Sequence, residues 1–336
     1  MYNDRLNNYR LLEEKRGSKL LVYITGDRPG LETQIHNDVL DLITDHLDSF
    51  NLPNKITLYL YTRGGSTLAA WSIVNLIRMF CNEFEVIVPS HAHSAGTLIC
   101  LGANSIMMTK QATLGPIDPS VNTALNPQVP GGPPMAKVPV SVEAIQGYLE
   151  LARDELGIKG DNNLTQVLIK LADIVHPLVL GDVYRAKTQI KMLAQQLLVQ
   201  QVTDEHKIKK IISFLCSESG SHDYTINRRE ARNSLGLEIE KPDQDLYEII
   251  KSIYDDIKRE LELNIPYNPT AVLGNNPQVS YCFRRCLIDS ISGGSHVLVS
   301  EGMLRNTSSQ LPPGVPPQMA IEDKRFFEGW RYEKNE

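Results

Sequence analysis

The chain has 336 residues, a hydrophobic fraction of 42%, a charged fraction of 22% and a formal net charge of −6. These values describe an ordinary globular protein with enough chain for a sizeable core. They give no sign of general nucleic-acid binding. The polar start "MYNDRLNNYRLLEEKRGSK" holds no apolar run that reads as a signal peptide. No stretch approaches the roughly 18 to 20 apolar residues of a membrane span, so a cytoplasmic location is expected.

After this polar segment (residues 1–18), "KLLVYITG" reads as a short apolar strand ended by glycine. A helix follows, with Ile35, Val39, Leu42, Ile43 and Leu47 at helical spacing. "KITLYLYT" is a second strand, and "RGGS" leads from it into the amphipathic "TLAAWSIVNLIRMF". "FEVIVPS" is a third strand, "HAHSAGTLICLGA" its exit and helix, and "SIMMT" a fourth strand ending at "LGPIDP". Alternating strands and helices predict an α/β fold with a largely parallel sheet, whose ligands collect at the carboxyl ends of the strands. A loop rich in proline and glycine (126–140) then reads as a disordered tether or, given its length between ordered elements, as an active-site lid or a subunit contact, and a run of helices follows it. Near the end, "SHVLVSEG" reads as an edge strand.

The five cysteines are scattered. Cys81 and Cys100 read as core thiols, while Cys282 and Cys286, four apart, are expected on one helical face. Neither that pair nor His91-x-His93 has the further ligands of a metal site, and no cofactor is expected. His176 reads as a helix cap or a packing residue, and Arg63 as a surface ion-pair partner or a contact to substrate backbone or carboxylate.

Two strand exits carry chemistry. A serine at position 94, opening a helix, can simply cap it by accepting from a free N–H. It can equally be a nucleophile on a sharp strand-to-helix turn, beside amides able to hold an oxyanion. Gly64 and Gly65 let backbone approach a ligand closely, because neither has a Cβ. The alternative is two tight turns of a parallel sheet.

The segments "YTRGGS", "SHAHSAGTLICLGA", "LGPIDPSV" and "YTINRREARNSLGLEIE" occur in that order, and together they resemble the Clp/crotonase fold. They are most similar to its signal-peptide-peptidase (SppA-like) branch, and within that to the serine dehydrogenase proteinases. The resemblance covers residues 19–240, leaving 241–336 as a helical and extended region packed on the core or at an oligomer contact. It implies a serine peptidase with Ser94 as nucleophile, Gly64, Gly65 and Ala95 around the oxyanion, and Glu230-Ala231 with Gly236-Leu237 closing the core. It also implies a peptide or protein substrate and a homo-oligomer.

The general base departs from the Clp pattern. Where Clp proteases carry a histidine, "LGPIDPSV" carries Asp118, read as a turn residue between prolines. Two candidates follow from the resemblance: Lys137, as in a Ser/Lys dyad, or His222, oriented by Asp223 or another carboxylate. A lysine serves as base only where desolvation or nearby positive charge lowers its pKa. A crotonase-like acyl-CoA enzyme, or an assembly module that has kept the fold, are the competing readings.

Overall fold

The computed structural model describes residues 1–309 and 318–333, except 118, 134, 219, 220 and 222. Its centre is a sheet of eight strands. The first helix α1 (Tyr2–Arg16) leads into β1 (Lys19–Thr25), and α2 (Leu40–Asp48) into β2 (Lys55–Tyr61). Then come α3 (Thr67–Phe80), β3 (Glu83–Val88), the short β4 (His91–Ala92), α4 (Ala95–Leu101) and β5 (Ser105–Met108). The pairs β1/β2, β2/β3 and β3/β5 are parallel, as the alternation of elements predicts.

Both faces of this sheet are covered, which is why its strands read as nearly unbroken apolar runs. Leu21, Tyr23, Leu58 and Leu60 point into one core with Ile43, Ile73, Val74 and Leu98. Leu20, Val22, Tyr59 and Tyr61 point into the other. The period of two along each strand therefore assigns its residues to two cores.

Short strands β6 (Thr113–Leu114), β7 (Ser120–Val121) and β8 (Val140–Ser141) follow. Strand β7 pairs antiparallel with β8, so the described residues between them form a hairpin-like excursion, closed within by the Gln128–Lys137 bridge. Its stem packs with α5 (Val142–Glu150), α6 (Asp161–Ala172) and α7 (Pro177–Leu198) around Val121, Val140, Leu171, Val179 and Val183. This satellite core has its own apolar contacts. His176 caps α7 as expected, its Nδ1 accepting from Leu178 N. Among the described residues no single helix is long and apolar enough to cross a membrane; α6 and α7 pass that test only as a pair bent by 103°.

Helix α8 (Glu205–Ser213), β9 (Ile226–Asn227), α9 (Arg228–Asn233) and β10 (Ile239–Glu240) return the chain to the sheet, where β10 lies beside β5. Helix α10 (Gln244–Glu260) packs with α1 over the second core, and α11 (Pro269–Leu273) precedes three long strands. These are β11 (Gln278–Ser290), β12 (Gly294–Ser309) and β13 (Gln318–Glu333), which extend the sheet antiparallel from β1.

Two expectations are corrected here. Cys282 and Cys286 lie on strand β11, not on a helix. "SHVLVSEG" belongs to β12, which is paired on both sides, so β13 is the edge. The tertiary pairing, with a register shift between Arg284 and Cys286, overrides a spacing that suits a helix.

The polar start of the chain is the helix α1. Arg5 is buried and donates to Tyr9 Oη at 2.9 Å, Asp289 Oδ2 at 2.8 Å and Asp256 Oδ2 at 2.8 Å, with Glu260 beside it. A charge this deep persists only when paired and fully hydrogen-bonded. This network ties α1 to α10 and β11.

On the other face, buried His46 of α2 shares hydrogen bonds with Ser290 Oγ (2.7 Å) and His296 Nδ1 (3.0 Å). Burial, with the neighbouring His296, pushes the His46 imidazole down to about 3. The carboxylates of Asp45 and Asp289 act only on His296, which burial also lowers. A folded-state pKa below the unfolded value of about 6.5 means that the unfolded chain takes up a proton the fold refuses. Stability from this group is therefore complete above about pH 6.5 and is lost as pH falls towards 3, at up to about 1.4 kcal/mol per pH unit. Urea unfolding at pH 5 and pH 7.5 checks this. His46→Asn is expected to show a smaller drop between the two pH values than wild type, and an equal drop contradicts the assignment.

Candidate active site

The carboxyl ends of β1, β2 and β4 meet at one place. Thr62 N donates to His91 O at 3.1 Å and His93 N to Thr62 O at 3.0 Å, so the exits of β2 and β4 run side by side. Thr25 Oγ1 donates to Thr62 Oγ1 at 2.7 Å, and Thr62 Oγ1 accepts from Gly64 N at 3.0 Å. On the far side, Ile35 N donates to Gly64 O and Ser66 N to Ile35 O, both at 2.8 Å. Ser66 caps α3 by accepting from Ala69 N. Residues 62–66 are thus held from both sides.

The two glycines in this loop have distinct reasons. Gly64 (φ 118°) lies directly against Ser94: a Cβ there would stand 2.7 Å from Ser94 Cβ and 3.1 Å from its Oγ. Gly65 (φ 143°) lies against the Ile35 backbone, where a Cβ would meet Ile35 O at 2.4 Å. Replacing Gly65 with valine therefore disturbs the fold as well as the loop's approach to a ligand.

Ser94 does not cap α4. Its side chain makes no capping hydrogen bond, and its backbone sits at φ 51°, ψ −116°. Such a conformation costs a non-glycine residue of order 1–3 kcal/mol, so the surrounding structure must impose it. Thr97 is the fastening: its Oγ1 donates to Ala92 O at 2.8 Å and accepts from Gly115 N at 3.0 Å, holding α4 to the segment after β6. Among the described residues, neither Gly65 N–H nor Ala95 N–H has a hydrogen-bond acceptor. The half-buried Ser94 hydroxyl thus stands beside the Gly-Gly loop, with free amides on both strand exits.

A second group of side chains lies one residue from the glycines. Buried Asp27, just beyond β1, accepts from Tyr61 Oη at 2.7 Å and from Arg63 Nε at 2.7 Å. His91 Nε2 lies 3.4 Å from the same carboxylate without completing a hydrogen bond. Burial alone would push the Asp27 carboxyl up; His91, Tyr61 and Arg63 together outweigh it and hold it well below the usual carboxylate range. The His91 ring packs on Tyr61 and lies 5.0 Å from the ring of His93, whose Nε2 bonds Thr113 Oγ1. Among the described residues no group of three or more His, Cys, Asp or Glu is placed to hold a metal ion.

Neither Lys137 nor Asp223 is joined to Ser94 by a hydrogen bond among the described residues. Half-buried Lys137 lies in the 120–141 hairpin, opposite Gln128. Asp223 is exposed, its N–H donating to Ser221 Oγ at 3.2 Å. His222 and Asp118 lie outside the described residues. Glu230 and Ala231 are on α9, with Ala231 and Leu237 buried in the first core.

A largely parallel sheet with helices on both faces, and a strained serine against a glycine loop at its carboxyl edge, defines a Clp-like α/β protein. Residues 41–129 match the model of the ClpP-like SDH-type serine proteinase family. The family read from the sequence is borne out by this match, in its SDH-type branch; the signal peptide peptidases are a different branch. The matched segment contains Gly64, Gly65, Ser94 and Ala95, whereas Lys137, His222 and Asp223 lie beyond it.

The chain is also similar to two uncharacterized proteins of Methanocaldococcus jannaschii. MJ0137 is 31% identical over 185 residues, 55% of this chain and 53% of that protein. MJ1495 is 28% identical over 243 residues, 70% of this chain and 71% of that protein. The match thus spans about half the length of the first relative. Among solved structures, a lysine-to-alanine mutant of the membrane-bound stomatin-specific protease 1510-N, in complex with a substrate peptide, is 16% identical. It covers 74% of this chain and 85% of that one, with a TM-score of 0.38. ClpP1 from Listeria monocytogenes is 15% identical over 70% of this chain and 97% of its own, with a TM-score of 0.37.

Proposed function

We propose that the chain is a serine peptidase in which Ser94 attacks the scissile carbonyl. One observation carries this reading: Ser94 is held in a costly backbone conformation with its hydroxyl uncapped, against a glycine that leaves it room. A serine that served only as a helix cap would need neither feature.

The chemistry follows from the groups at hand. Ser94 Oγ bonds to the carbonyl carbon, and the π electrons move onto the carbonyl oxygen. The N–H groups of Gly65 and Ala95 then donate to that oxyanion. A base takes the Oγ proton and passes it to the leaving nitrogen as the C–N bond breaks. Water, deprotonated by the same base, then attacks the acyl carbon, the bond to Oγ breaks, and the base returns the proton to Ser94 Oγ.

Lys137 is our choice of base, with His222 assisted by Asp223 as the other. The hairpin that bears Lys137 leaves the chain soon after the segment fastened by Thr97. A pH–rate profile separates the two bases. A histidine base gives activity that rises through about pH 6 to 7 and then levels, while a lysine base leaves it climbing above about pH 8. Lys137→Met is expected to lose turnover and His222→Asn to keep it, each variant first shown to be folded. The reverse result rules out the lysine dyad. The same reading places the enzyme in the cytoplasm as a homo-oligomer, with peptides or proteins as substrates.

A further inference from the structure

Arg63 stands at the exit of β2, next in the chain to the glycine that touches Ser94. Its side chain is 67% exposed, yet its Nε is fixed by Asp27, whose own side chain is only 7% exposed. Asp27 is in turn fixed by Tyr61 and faces His91, so the base of the guanidinium is attached to a buried, immobile anion. The backbone on either side is pinned through Thr62 and Gly64. Only the Nε–H of the guanidinium is used; its terminal N–H donors have no acceptor among the described residues.

As a stabilising device this pair is poor. Solvent weakens an ion pair whose cation is this exposed, and such a pair does not need a buried carboxylate with a tyrosine donor and a histidine behind it. As a positioned fork it is well made, because a guanidinium with its terminal nitrogens open suits the two oxygens of a carboxylate. Glu32 is near enough for Arg63 to feel its charge. It is exposed, however, and takes a hydrogen bond from Gly30 N, so solvent screens it and it does not occupy the fork.

Building on the peptidase reading, we infer that Arg63, held by Asp27, forms a subsite for a substrate carboxylate next to the scissile bond. The carboxylate is supplied either by the C-terminus of the peptide or by an Asp or Glu side chain. The enzyme therefore selects among peptides by negative charge near the bond it cuts.

The test is binding to Ser94→Ala, where no turnover intervenes. A labelled alanine-rich peptide is offered in three forms: uncharged with an amidated end, the same with a free C-terminal carboxylate, and the amidated form with one glutamate. One of the two charged forms is expected to bind about tenfold more tightly or better than the uncharged one, and which of them does so names the source. Adding Arg63→Met should bring the three affinities together, and Arg63→Lys should keep only part of the difference, having charge without the fork. Equal binding of the three forms, or an advantage that survives Arg63→Met, overturns the subsite. Failure of the peptidase reading looks different: a fluorophosphonate leaves Ser94 unlabelled while the Arg63-dependent preference persists.

Discussion

Gly64→Ala is expected to lower kcat about a hundredfold or more while changing KM much less. The added methyl would stand 2.7 Å from Ser94 Cβ and 3.1 Å from both Ser94 Oγ and His93 O, so one of these must move. Thr62 and Thr97 hold the neighbouring segments, which leaves the Ser94 side chain as the part able to yield. A displacement of about 1 Å in a reacting group is enough for a loss of that size. The positive φ at Gly64 adds a stability cost of about 1–3 kcal/mol, readable by urea unfolding. Steady-state kinetics on the folded fraction separates the two effects. A Gly64→Ala protein with the wild-type kcat would mean that the Ser94 hydroxyl is not the reacting group. The corresponding change at Gly65 is less informative, because its Cβ would strike the Ile35 backbone and the fold would yield first.

The parallel half of the fold was legible because two signals agree. β-branched and apolar runs mark β1, β2, β3 and β5, and helical spacing marks the segments between them. The antiparallel half was less so. Cys282 and Cys286 are four apart, which suits a helix, but pairing with β1 and β12 makes that segment a strand. Pairing partners are a tertiary property, and local periodicity does not carry them.

At the site, Ser94 and the glycines were legible since their residue types answer a local demand: a sharp turn, and a close approach of backbone. Asp27 was not. It is a single aspartate after a strand-ending glycine, and its role depends on Tyr61, Arg63 and His91 arriving from β2 and β4. Nothing in its own neighbourhood of the sequence distinguishes it from a turn residue. The buried Arg5 of α1 is a similar case, because its partners Asp256, Glu260 and Asp289 lie some 250 or more residues further along the chain.

On the proposed mechanism, Ser94→Ala should lower peptide cleavage at least about a thousandfold, since no other hydroxyl replaces a nucleophile at that position. The most direct test of the account needs no knowledge of the natural substrate. A fluorophosphonate probe reacts with a serine only where its hydroxyl is activated and an oxyanion site stands ready. Purified wild type is expected to take up one probe per chain, with the added mass on the peptide that contains Ser94, and Ser94→Ala is expected to take up none. Labelling that persists in Ser94→Ala, or a wild-type protein that cleaves peptides while Ser94 stays unmodified, would contradict the assignment of this serine as the nucleophile.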